Sequence, residues 1–222
     1  IKKSEREDLE MRLGLVKGNQ ITPNIVDRAT TIIKKHFEEK GFKNAEVNIK
    51  QTDDLTHENE VIVDIYVDKK EKVKVHKIYI DGNEVLSDRK IKWAMKKTNE
   101  KGNLLHLFRT KKFVEENYKN DKNLIIEKYN ELGYRDAAIV NDSVVRYNDK
   151  TVDVYLTIDE GKKYYIRNID WVGNTIYPSD YLSAVLGMKL GDVYNQKMLN
   201  NRTMEDEDAV ANLYMDRGYL FF

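Results

Sequence analysis

The chain has 222 residues, with 38 Lys plus Arg against 38 Asp plus Glu, so its formal net charge is zero and no overall field draws it toward nucleic acid or an anionic membrane. It has no cysteine, which excludes disulfides, thiolate metal sites and cysteine nucleophiles, and its apolar runs, such as Val61-Ile62-Val63 and Leu104-Leu105, are far too short to span a bilayer as a helix. A charged fraction of 34% with two prolines fits an ordered, well-solvated surface around modest cores, and the start at Ile1 without a signal segment reads as an internal piece of a longer chain.

In chain order, Leu13-Gly14 to Gly18-Asn19 closes a first short helix with a glycine turn. Thr22 as N-cap and Pro23 in the first turn open a longer helix running to about Lys40, with Ile33 and Phe37 a turn apart on its apolar face. Gly41 sits where a helix ends in left-handed geometry, and Phe42 is placed to fold back on the last turn. A strand follows over about 45 to 50, then a polar hairpin tip holding Asp53, Asp54, His57 and Glu58, then a strand in which Val61, Val63 and Ile65 alternate with outward residues.

From here the sequence repeats itself. Adding 91 to Val67, Asp68, Val75, Ile78, Gly82 and Asn83 lands on Ile158, Asp159, Ile166, Ile169, Gly173 and Asn174 without a gap, and Val61, Val63 and Ile65 map onto Val152, Val154 and Leu156. The stop Gly41-Phe42-Lys43-Asn44-Ala45 returns as Gly133-Tyr134-Arg135-Asp136-Ala137 and, in part, as Gly218-Tyr219. Each stop follows an aromatic, Phe37, Tyr129 or Tyr214, at helical spacing. The glycine turn recurs at Gly102-Asn103 and at Gly187 to Gly191, the latter closing a short helix that begins near Ser179. In the last copy Glu205 to Asp208 and Arg217 suit the two ends of a helix dipole.

One unit therefore reads β-α-α-β-β. The expected modules are 1–74, lacking its first strand, 75–165, complete, and 166–222, ending after the second helix, with connectors of a few residues. From turn glycine to stop glycine is 41 − 18 = 23, 133 − 102 = 31 and 218 − 191 = 27 positions, so the middle module carries an insertion near 103–110. Lys69-Lys70-Glu71 stands where the second copy has Glu160-Gly161-Lys162, which leaves the geometry of that first turn open.

This order, the Gly-Tyr stop, and Ile158-Asp159-Glu160-Gly161 leading into Ile169-Asp170-Trp171-Val172-Gly173-Asn174 together resemble POTRA domains, the polypeptide-transport-associated modules of outer-membrane assembly proteins. The resemblance covers essentially the whole chain. It implies an α+β fold of tandem modules, each a three-stranded mixed sheet packed on two helices. It further implies a location on the periplasmic side of a Gram-negative outer membrane and a C-terminal membrane β-barrel in the same parent chain. The partners it implies are unfolded outer-membrane proteins and the accessory lipoproteins of the assembly complex. In that fold the last strand pairs with both others, which leaves the second strand as an open edge for a visiting strand. Ala45, Val47 and Ile49 in the first module, and Ala137, Ile139 and Asn141 in the second, are the candidate peptide-binding positions. The alternative is a passive spacer or scaffold, as in a two-partner-secretion translocator, a TamA-type protein or a cell-division protein.

Other features fit bland and functional readings alike. Leu104, Leu105, Leu107 and Phe108 suit either a helix packed on the core or a partner-docking patch, and Trp93 and Trp171 suit either buried aromatics or contact anchors. Arg89, Lys90, Lys92, Lys96, Lys97, Lys101, Arg109, Lys111 and Lys112 against Asp88 and Glu100 suit a solvated face or an acidic partner. No catalytic constellation, nucleotide loop or cofactor site is expected: His36, His57, His76 and His106 are scattered, and the glycines punctuate helix ends.

Overall fold

The computed structural model describes residues 3–15, 18–101 and 110–219. Its elements are α1 (Lys3–Leu13), α2 (Pro23–Glu39), β1 (Glu46–Asp53), β2 (Val61–Asp68), β3 (Lys74–Asp81), α3 (Asp88–Ala94), α4 (Glu115–Glu131), β4 (Ala138–Asn148), β5 (Thr151–Asp159), α5 (Ser179–Leu186), α6 (Gln196–Asn200), a π-helical turn (Asn201–Glu205) and α7 (Val210–Met215). They fall into two compact units. One takes Ile1–Ile78, Lys97–Lys119 and Val144–Val154; the other takes Tyr79–Lys96, Asn120–Ser143 and Tyr155–Phe222.

In the first unit Thr22 caps α2, its hydroxyl accepting from the Ile25 N–H at 3.4 Å, and Pro23 stands where no N–H is needed. The apolar stripe of α2 puts Ile33 and Phe37 against Leu9 of α1, and Leu13, Phe42, Ala45, Val47, Ile65 and Val67 close over them. Burying a side chain the size of Phe37 is worth about 1.5 to 3 kcal/mol. β1 and β2 pair antiparallel with Val47 opposite Val67 and Ile49 opposite Ile65, a register that keeps the apolar positions of both strands on one face.

The middle sheet has the order β3-β5-β4, so the last strand of the repeat lies between the other two. β5 departs from simple alternation: Thr151, Val152, Asp153 and Val154 are all buried. Asp153 is covered on the face away from the apolar core by His76, whose Nδ1 lies 2.8 Å from its carboxylate, and the Tyr147 ring stacks on that imidazole at 4.0 Å. The overlay is local to this end of the strand: from Val154 onward the alternation returns, with Tyr155 and Asp159 exposed.

All three helix stops form as the sequence predicts. The N–H of Phe42 reaches back to the Phe37 carbonyl at 2.9 Å, Tyr134 to Tyr129 at 3.0 Å and Tyr219 to Tyr214 at 3.1 Å, and each pair of rings meets edge to face. In the second unit Leu182, Leu186, Met188 and Val210 form a core joined by Trp171, whose indole N–H donates to Ser183 Oγ at 2.8 Å. The opening strand expected at 166–169 differs. Among the described residues these belong to no sheet.

Candidate functional site

Among the described residues β4 stands at the edge of its sheet, hydrogen-bonded along one side only, and β1 likewise pairs only with β2. Of the candidate binding positions, Val47, Ile49, Ile139 and Asn141 lie on these strands. Ala45 and Ala137 precede them by one residue. Their N–H groups are spent inside the stop turn, on the Phe42 carbonyl at 3.1 Å and the Tyr134 carbonyl at 3.2 Å, so a ladder begins at Glu46 and Ala138. Lys122 of α4 pairs with Asp142 at 2.9 Å, which places one ion pair on β4 itself.

β2 offers a second edge that the sequence reading did not single out. Among the described residues its only partner is β1, and an open groove of about 1070 Å³ runs past it, lined by Leu13, Leu15, Ile21, Val61, Ile62 and Val63 among others. The signal in the sequence is the run Val61-Ile62-Val63, which puts apolar side chains on both faces of the strand.

The turn left open by Lys69-Lys70-Glu71 has the geometry of its counterpart. Lys70 adopts φ 52 where Gly161 has φ 63, and Asp68 Oδ1 accepts from the Lys70 N–H at 3.0 Å as Asp159 Oδ1 accepts from that of Gly161 at 3.0 Å. Just before it the two copies solve one problem in different ways. The buried Tyr129 hydroxyl donates to Glu160 at 2.8 Å, while Phe37, its counterpart, has the Lys69 ammonium 5.9 Å from its ring centroid. Burial, reinforced by the Glu160 carboxylate, pushes the Tyr129 phenol above its ordinary range, so it remains a donor.

Asp54, His57 and Glu60 are the one group among the described residues with the composition and closeness to hold a metal ion, their ligand atoms lying within 4.8 Å of one another. The hairpin tip itself accounts for this grouping. Asp54 accepts from the Thr56 N–H at 2.8 Å and from the Thr56 hydroxyl at 2.6 Å, and its own N–H donates to the Glu60 carbonyl at 2.9 Å. His36 is buried beside Glu5 at 3.4 Å, and His76 is the lid on Asp153 described above. Trp93 on α3 is half exposed. The candidate patch Leu104, Leu105, Leu107 and Phe108, with His106, Arg109 and most of the predicted insertion, lies outside the described residues.

Comparison with known proteins adds a family-level match. The family model described as POTRA, surface antigen variable number repeat, matches residues 2–70, 73–161 and 164–222. The outer membrane protein assembly factor BamA of Neisseria meningitidis serogroup B is 27% identical over 188 residues, 84% of this chain and 23% of the relative. A putative outer membrane protein assembly factor of Treponema pallidum is 23% identical over 223 residues, 96% of this chain and 24% of the relative. The chain thus spans about a quarter of these curated relatives. Among solved structures, POTRA3-5 of Haemophilus influenzae BamA aligns over 100% of this chain and 82% of its own length at 18% identity and a TM-score of 0.49. POTRA1-3 of Omp85 from Anabaena aligns over 92% and 78% at 16% identity and a TM-score of 0.44.

Proposed function

The chain belongs to the POTRA family, and from that premise we propose that it is the periplasmic, non-catalytic polypeptide-binding region of an outer-membrane β-barrel assembly factor. Its clients are unfolded outer-membrane proteins, received as added strands along β1 and β4; accessory lipoproteins dock on the same array, and a membrane β-barrel follows in the parent chain. The similarity to assembly factors from two bacteria supports the setting. One observation supports the binding mode: among the described residues β1 and β4, each the second strand of its repeat, both lie at a sheet edge with one partner strand.

Strand addition uses main-chain groups, which suits clients whose barrel strands share an alternating pattern and differ in sequence. Four or five added bonds, each worth about 0.5 to 1.5 kcal/mol net, less the cost of ordering the guest, give weak and reversible holding. A client held this way is easily passed on.

Titration of barrel-strand peptides into the labelled chain is expected to move amide resonances along 46–50 and 138–143. Neighbouring residues in a strand aim their N–H groups to opposite sides, so one of Ile139→Pro and Val140→Pro deletes an outward donor without cutting the bond to β5. That variant keeps the fold and loses affinity several-fold. Binding with no shift along either strand would end this reading.

A further inference from the structure

The connectors between repeats are built in the same way at both junctions. At the first, the Val73 N–H donates backward to the carbonyl of the stop glycine Gly41 at 3.0 Å, while the Val73 carbonyl accepts forward from the Phe113 N–H at 2.8 Å. At the second, the Tyr164 N–H donates to Gly133 at 2.8 Å, and the Tyr164 carbonyl accepts from Tyr194 at 3.0 Å. Two residues on, the Val75 and Ile166 N–H groups donate to the Lys111 and Asp192 carbonyls at 3.0 and 2.8 Å, and their carbonyls accept from Lys101 and Gly191, both at 2.8 Å. Eight backbone bonds thus fall into four matched pairs.

The stop loops also touch the following repeat directly. A Cβ placed on Gly41 would lie 3.1 Å from the Lys112 side chain, and one on Gly133 would lie 2.5 Å from Val193 Cγ1 and 3.2 Å from the Tyr164 carbonyl oxygen. Lys112 and Val193 are themselves equivalent, each the bridge partner of its connector, to Lys74 and to Tyr165. At the second junction the stop loop adds side-chain contacts: Arg135 lies over the Tyr164 ring at 4.4 Å, and Asp136 accepts from the Tyr164 hydroxyl at 2.5 Å.

We infer that each stop loop is a docking surface for the repeat that follows it, and that the connector is a clasp: its N–H is committed to the upstream repeat and its carbonyl to the downstream one. Gly133 is the positioning residue of this interface, while at Gly41 the neighbour is the flexible Lys112 side chain, which can give way. At Gly133 the left-handed turn alone would admit asparagine in place of glycine; the close approach of Val193 and the Tyr164 carbonyl does not.

The third copy supplies an internal control. Gly218 has φ 83, close to the φ 92 of Gly133, yet no described atom lies within 4 Å of its Cβ position. Alanine at Gly218 therefore carries the backbone strain without the collision.

The test is amide hydrogen exchange on the full 222-residue chain. In the wild type Val73, Val75, Phe113, Tyr164, Ile166 and Tyr194 exchange as slowly as amides within the strands. Gly133→Ala speeds exchange at Tyr164, Ile166, Gly191 and Tyr194 at least tenfold and leaves Val73, Val75 and Phe113 unchanged; Gly218→Ala changes neither set. Connector amides that exchange in the wild type at the rate of an open linker overturn the clasp, even if Gly133→Ala does not fold. Equal effects of Gly133→Ala and Gly218→Ala on Tyr164 and Ile166 overturn the role given to the glycine.

Discussion

Lys70 holds a left-handed backbone that side chains with a Cβ disfavour by roughly 1 kcal/mol or more, at the point where its counterpart is Gly161. The conserved element of the turn is the aspartate two residues before, whose carboxylate takes the N–H in both copies. Gly161→Ala is therefore expected to cost about 1 kcal/mol in urea denaturation, while Lys70→Gly costs nothing measurable, because the Lys70 ion pairs with Glu46 and Asp68 are exposed and weak. The sequence left this turn open because it shows a missing glycine but not whether the aspartate upstream compensates. Glu5 is a second residue with a measurable signature. The Lys40 ammonium at 2.6 Å, helped by His36, outweighs burial and holds its carboxyl at about 2 instead of 4.5. A folded-state value below the unfolded one means stability present in full above pH 4.5 and lost as the pH falls toward 2. Glu5→Gln should thus narrow its stability gap to wild type steadily over that acid range, as read from urea midpoints at each pH.

Among the elements, the helix stops were legible because glycine at positive φ and an aromatic one residue on are local requirements, written within seven residues of sequence. Edge strands were legible only through the resemblance, since pairing order depends on residues far apart. The start of each edge could not be read in advance: Ala45 and Ala137 look like strand residues, and only the turn hydrogen bonds reveal that their donors are occupied. β5 keeps the half-buried alternation from Val154 to Asp159, and what local pattern could not show is Asp153, buried at an outward position beneath His76, 77 residues away in sequence.

For the whole molecule, zero net charge and recognition through main-chain groups lead to one expectation. Peptide affinity should change less than about twofold between low and physiological salt, in contrast with the steep loss of a complex held by charge; a fluorescence anisotropy titration at several salt concentrations reads this directly. The duplication at an offset of 91 was plain in the sequence, and it carried the family assignment. The junctions were not, because the bonds between Val73 and Gly41, and between Tyr164 and Gly133, are made by main-chain groups that almost every residue carries. The closing turn of α2 therefore becomes fully satisfied only when residue 73 has been made, and that of α4 only when residue 164 has been made. During synthesis from the N-terminus each repeat would mature a little behind its own length. A protease cut or a cloning boundary just upstream of Val73 or Tyr164 would orphan a carbonyl in the half that was meant to be left whole.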